Sequence, residues 1–195
     1  MTNPMQIVRS RIRSCGVTLV ELMIVIAIGA ILIGIAVPSF QNLILQSRIA
    51  GNVNDLVAAI NLARSEAVKR SGGTSICRST DQATCATAGS GWESGWIVFF
   101  DANMNGVVDV GTDVVINAFA AFPAGVTAVA NAGMTDNIRY VANGRPTATF
   151  TGALMTICPS GTDLKYCKYV CVNSQGRTRV ETLAEHSVTA STCGS

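Results

Sequence analysis

Few residues in this chain of 195 are of a type and spacing that could do chemistry. The first is Glu21, a single carboxylate at the mouth of an apolar run, since Leu22 to Val37 carries no polar side chain. An acidic residue costs about 2.5–3.5 kcal/mol at the centre of a membrane helix and less near its end, so a carboxylate there calls for a partner. The second is Gly176-Arg177-Thr178-Arg179. If this stretch is extended, Arg177 and Arg179 point to one face, because side chains repeat every two residues. Two guanidiniums so placed can fork onto phosphate oxygens, and Gly176 lets the backbone come close. The plain alternative is a hairpin turn with two solvated arginines. Arg145, Lys165 and Lys168 are the cations that could extend such a patch. The third is Asp101-Ala-Asn103-Met-Asn105-Gly106-Val-Val-Asp109, which spaces Asp101, Asn103, Asn105 and Asp109 as calcium ligands are spaced, with glycine at the sharp turn. The closing bidentate glutamate is missing, its place taken by Thr112. Asn and Asp also favour tight turns for local reasons, so the expectation is no metal.

Cysteines are the fourth group. Cys77, Cys85, Cys158, Cys167, Cys171 and Cys193 come after the apolar run, an even number that reads as disulfides in an oxidising compartment. Zinc is the rival, but there is no C-x-x-C pair and His186 is the single histidine. Cys77 with Cys85 closes a short loop. The other four allow three pairings, of which Cys158 with Cys167 and Cys171 with Cys193 is preferred. Cys167 and Cys171 sit four apart on an expected strand, about 13 Å, too far to bridge each other. Nothing places a serine and an acid around His186, so no catalytic constellation is visible and no enzyme or cofactor is expected. Trp92 and Trp96 lie between glycines and read as packing residues.

These groups need elements to hold them. Val17 to Val37 is 21 residues, and about 20 span a bilayer core. Arg9, Arg11 and Arg13 precede it, which keeps the leading end in the cytoplasm and places the C-terminal part outside. The helix is expected to continue past Pro38, which would kink it without necessarily ending it. Ile49, Val53, Leu56, Ile60, Ala63 and Ala67 recur at spacings of three and four, one apolar stripe at helical period. Lys69 and Arg70 suit the negative end of the helix dipole, and Gly72-Gly73 should stop the helix. The remainder reads as short β-branched strands at 74–77, 95–100, 114–119, 126–130, 137–141, 147–150, 153–158, 168–172 and 177–181, parted by turn residues. A long helix followed by antiparallel strands is an α+β fold, with the stripe covering the sheets.

Cys15-Gly16-Val17-Thr18-Leu19-Val20-Glu21-Leu22-Met23 resembles the class III signal of type IV pilins and type II secretion pseudopilins. A secretory signal peptide has its apolar region before the cleavage site, and here the apolar run comes after. A lipoprotein signal needs an apolar stretch before Cys15, which is absent, and an uncleaved anchor explains neither Gly16 nor Glu21. The resemblance implies that a prepilin peptidase cuts between Gly16 and Val17 and methylates the new terminus. Glu21 then becomes the fifth mature residue, one that neutralises the Val17 ammonium of a neighbouring subunit, and Pro38 the twenty-second. Family members usually carry Phe where Val17 stands. Loss of the leader removes three of 14 basic residues and leaves 11 against 12 acidic ones, so the chain's apparent basicity belongs to the leader.

The downstream part is similar to the GspH/FimT family of minor pseudopilins and minor pilins. The likeness rests on Cys77 and Cys85, on Gly91-Trp92 followed by Gly95-Trp96-Ile97-Val98-Phe99-Phe100-Asp101, and on Gly176-Arg177-Thr178-Arg179. It implies a leader over 1–16, a transmembrane helix over 17–38, an amphipathic helical half over 39–72 and a periplasmic β domain over 73–195. It also implies inner-membrane anchoring and assembly with other subunits into a pilus or pseudopilus. In the FimT branch the G-R-x-R pattern is linked to DNA capture, which makes DNA a candidate partner through Arg177 and Arg179.

Overall fold

The computed structural model describes residues 16–86, 90–131, 133–160, 166–182 and 193. Arg9, Arg11, Arg13, Lys165, His186 and most of the expected leader lie outside these, as does the side chain of Pro38. Two compact units divide the chain, one ending at Asn42 and the other beginning at Leu43.

One helix, α1, spans Leu19–Arg70 and includes the backbone at Pro38. The expected stripe is the side it buries: Ile49, Val53, Leu56, Ile60, Ala63 and Ala67 are all in the core, joined by Ala59. The helix does not stop on its glycines. Ser71 takes the left-handed conformation (φ 50°). The N–H of Gly72 then reaches back to the Ala67 carbonyl (3.1 Å) and that of Ser71 to Val68 (3.2 Å), the paired closure of a Schellman cap. Lys69 and Arg70 both bond to the Glu66 carboxylate, at 3.1 and 2.7 Å.

Among the described residues eight strands come after the helix: β1 Thr74–Arg78, β2 Trp96–Phe100, β3 Val114–Phe119, β4 Val126–Ala130, β5 Asn137–Tyr140, β6 Ala153–Pro159, β7 Lys168–Val172 and β8 Thr178–Thr182. They make two four-stranded antiparallel sheets, in the orders β3-β2-β1-β5 and β4-β6-β7-β8. The expected strand at 147–150 is a turn instead. Pro146 forms a single bridge with Tyr140, and the Thr147 N–H caps the Arg139 carbonyl (3.0 Å), so the segment closes the edge of β5 without extending the sheet.

One hydrophobic cluster joins the helical stripe to inward-facing residues of both sheets, among them Ile76, Val98, Ile138, Met155, Ile157 and Val170. Trp92 and Trp96 belong to it; the Trp92 indole donates to the Met134 carbonyl (2.9 Å), and Trp96 stacks on Phe119. The first sheet is buried on its outer side as well. Cys77, Ile97 and Phe99 form a second, small cluster there, covered by Cys85, Val108 and Ala118.

Candidate functional site

The N-terminal end of α1 is organised by Thr18. Its hydroxyl accepts the N–H of Glu21 (3.2 Å), and its carbonyl accepts that of Leu22 (3.1 Å). Thr18 is therefore the N-cap, and Thr18-x-x-Glu21 has the sequence of a capping box. That signal is present in the chain, but a motif reading centred on Glu21 passes over Thr18. Gly16 and Val17 lie outside the helix and are exposed. Behind the cap, Leu19–Val37 is long and apolar enough to cross a membrane by length and composition, and none of it is buried in the protein.

The second region is built by two turns, each containing a Gly-Arg pair. In the turn between β7 and β8, Asn173 organises the backbone: its side-chain oxygen accepts the N–H of Gln175 (3.0 Å) and of Arg177 (2.9 Å). Gly176 sits at φ +75°, and a Cβ there would lie 2.8 Å from the Tyr140 ring, 3.0 Å from Pro146 and 3.4 Å from the Gly144 carbonyl. Only glycine satisfies both the conformation and the approach. The other turn, after β5, repeats the device. Asn143 accepts the N–H of Arg145 (2.9 Å), and Gly144 has φ +73°. Arg64 of α1 reaches both turns, with Nη1 donating to the Gly176 carbonyl (3.3 Å) and its stem lying against Gly144. Burial pushes the Tyr140 phenol beneath them above its ordinary range, the nearby Arg64 charge opposing the shift.

Arg177 and Arg179 are both exposed. Arg179 faces Cys171 across the ladder and forms an ion pair with Glu181 (3.5 Å). Of the cations that could extend the patch, Arg145 stands on the neighbouring turn. Lys168 does not join it. It shares the face of core-facing Val170 and Val172, and it lines a hollow with Leu43, Gln46 and Ala50 of α1, on the opposite face of the sheet from Arg179. The sequence reading missed Arg64, whose role depends on where two distant turns meet.

In the loop after β2, Asp101 is fully buried. Its carboxylate accepts the Ser75 hydroxyl (2.6 Å) and the N–H groups of Gly106 (2.9 Å) and Asn105 (3.1 Å). Asn103 and Asn105 turn their oxygens to the backbone N–H of Asn105 and Val107, so both amide NH2 groups point at one Asp109 oxygen, at 2.7 and 2.8 Å. Asp113 accepts from Ala102 and Asp109. The loop's oxygens thus serve its own backbone, and its asparagines present donors where a calcium loop presents acceptors. Among the described residues no cluster of three or more His, Cys, Asp or Glu could hold a metal ion.

The cysteines pair as Cys77–Cys85, Cys158–Cys167 and Cys171–Cys193. Their strand positions alternate with core-facing Ile76, Ile157 and Val170, so each disulfide lies on the side of its sheet away from α1.

A model of the prokaryotic N-terminal methylation motif matches residues 11–37, and the family model described as type II transport protein GspH matches residues 52–176. That second match ends at Gly176, one residue before the first exposed arginine of its turn. Among curated proteins no sequence matches this chain. Among solved structures, the type IV minor pilin FimU of Pseudomonas aeruginosa (strain PAO1) is similar in two crystal forms. In one it is 22% identical with a TM-score of 0.53, over 77% of this chain and 97% of that one. In the other it is 21% identical with a TM-score of 0.51, over 75% and 98%. The minor pseudopilin EpsH of the Vibrio cholerae type 2 secretion system is 12% identical with a TM-score of 0.49, over 71% and 99%. FimU shares the fold, a pilin-like α+β architecture, and the family match covers more than half of the residues. The chain belongs to the GspH family of type II transport proteins and bears the prokaryotic N-terminal methylation motif at its head.

Proposed function

We propose that this chain is a minor pilin or pseudopilin: a structural, non-enzymatic subunit that is processed, held in the inner membrane and then drawn into a type IV pilus or a type II secretion pseudopilus. The observation that carries this reading is the division of labour along α1. Its first part exposes an uncharged surface with a single carboxylate at the head, while its last turns form one wall of the β domain's core. In this reading a prepilin peptidase cuts after Gly16 and methylates Val17, Leu19–Val37 spans the inner membrane, and the β domain lies in the periplasm. The residues map as a leader over 1–16, a membrane helix over 17–38, an amphipathic half over 39–72 and the β domain over 73–195, with Pro38 at the membrane exit. Glu21 meets the Val17 ammonium of a neighbouring subunit, so that two charges cancel in surroundings that would penalise either alone. Thr18 occupies the backbone N–H of Glu21 and leaves its carboxylate to that partner.

Intact-mass measurement of protein taken from cells tests the reading. Loss of residues 1–16 and gain of one methyl group is expected, with Gly16→Arg blocking both; a full-length product in wild-type cells overturns it. Glu21→Ala should insert at least as well as wild type but enter filaments poorly. Wild-type incorporation would refute the charge pairing.

A second reading has its own support. Arg177 projects from a rigid, glycine-built turn, and no ion pair engages it among the described residues. That suits DNA capture through Arg177 and Arg179, by phosphate contacts without base readout.

A further inference from the structure

We propose that the anion-binding unit of this protein is composite, made by the two Gly-Arg turns together, with Arg145 rather than Arg179 as the working partner of Arg177, and that its ligand is the phosphodiester backbone of a nucleic acid. This rests on the DNA-capture reading and revises which residues carry it.

Gly144-Arg145 and Gly176-Arg177 are far apart in sequence, one following β5 in the first sheet and the other joining β7 to β8 in the second. Their glycines share the left-handed conformation, and a Cβ on Gly176 would come within 3.4 Å of the Gly144 carbonyl. Each arginine is the residue after its glycine, each backbone N–H is fixed by an asparagine side chain, and each side chain is exposed. The two arginines therefore leave the backbone from adjoining turns. Arg64 ties the turns from beneath and adds a third positive charge. Among the described residues no ion pair engages Arg64, Arg145 or Arg177, whereas Glu181 lies beside Arg179 and offsets its charge. A guanidinium keeps its charge and presents a planar fork matched to phosphate, so two arginines on adjoining turns suit phosphates along one strand.

The surroundings favour nucleic acid over an acidic peptide. A cavity of about 530 Å³ opens beside Arg145, lined by Asn143, Thr147, Phe150 and Ser174 and by no carboxylate or further cation. Amide, hydroxyl and aromatic groups beside an arginine offer a sugar and a base something to pack on. An acidic peptide would gain little from them.

The test uses the full processed chain in nonionic detergent and a short duplex DNA of random sequence, with binding measured at several salt concentrations. Each phosphate contact adds about 0.9 to the slope of log affinity against log salt. If Arg145 and Arg177 each hold one phosphate, affinity should fall about 12-fold for a fourfold rise in salt. Arg145→Gln and Arg177→Gln should each reduce that fall to about 3.5-fold, and Arg179→Gln should leave it near the wild-type value. Arg145→Lys, which keeps the charge and loses the fork, serves as the second variant if Arg145→Gln unfolds; it should weaken binding while keeping the slope. If Arg145→Gln binds like wild type while Arg177→Gln and Arg179→Gln do not, the composite site is refuted and the simple DNA reading survives. If the unmodified protein fails to bind DNA at low salt, both fall. Displacement of DNA by polyglutamate at equal charge concentration would assign the surface to an acidic protein and overturn the proposal.

Discussion

Replacing Asp101 with alanine should be among the most damaging single changes in the β domain. Its carboxylate is fully buried and accepts three hydrogen bonds, two of them from donors that are themselves buried, the Ser75 hydroxyl and the Gly106 N–H. A hydrogen bond to a charged group contributes about 1.5–3 kcal/mol, and an orphaned buried donor costs a similar amount. Counting only the two buried donors, Asp101→Ala should lose about 3–6 kcal/mol, against a total of about 5–15 kcal/mol for a typical domain. Asp109 accepts from exposed asparagine amides, so Asp109→Ala should cost about 1 kcal/mol or less. Urea unfolding of the Leu43–Ser195 unit, followed by tryptophan fluorescence with and without calcium, separates this account from metal binding. Here the asymmetry between the two aspartates should persist whether calcium is present or not. In a calcium loop both residues would be ligands, and both variants would lose a calcium-dependent stabilisation. A loss below about 1 kcal/mol for Asp101→Ala, or equal losses for the two, would refute the reasoning.

Two further outcomes are expected. Loop-closure entropy ranks the disulfides by span: Cys171–Cys193, separated by 22 residues, should contribute about 3.4 kcal/mol, and Cys77–Cys85, separated by 8, about 2.5 kcal/mol, so the first double alanine variant should unfold at lower urea, and the reverse order would refute the ranking. At the end of α1, the Arg70 guanidinium and then the Lys69 ammonium hold the Glu66 carboxyl below its ordinary value of 4.5; the stabilisation is complete above that value and fades as pH falls through the lowered one, so Glu66→Gln should flatten the acid side of the stability profile, and an unchanged slope would count against the pairing.

The parts of this protein legible in its sequence are those set by local periodicity. The stripe from Ile49 to Ala67 is spaced for a helix face, and that face is the one buried. Val114–Phe119, Val126–Ala130 and Lys168–Val172 read as strands with their observed limits, because β-branched runs between turn residues leave little else. The segment 147–150 has the same composition but comes after Pro146, and it spends its hydrogen bonds closing a turn over β5. Propensity puts the helix stop at Gly72-Gly73, whereas the structure has the left-handed residue one position earlier, at Ser71. The candidate site is half legible. Gly176-Arg177 can be seen as a motif, but its relation to Gly144-Arg145 and Arg64 depends on which sheet edges lie side by side, and no periodicity encodes that. Lys168 shows the converse: it is close to Arg179 in sequence, and strand alternation sends it to the other face.

The disulfides have a mechanical consequence. No cysteine lies within Leu19–Arg70, and all three bonds sit on the far sides of the sheets from the helix. Tension entering through α1 therefore passes into the sheets without a disulfide in its path, chiefly through the burial of Ile49, Leu56 and Ile60 against the inner faces, with the Arg64–Gly176 hydrogen bond and the backbone at 71–73 beside it. Under load the packing of helix on sheets would yield before any disulfide took strain, while the backbone at 71–73 kept the helix tethered to β1. The bridged β layers would keep their connections, ready to re-dock when the pull ended. The protein thus places its reversible joint in the line of force and its permanent fasteners outside it.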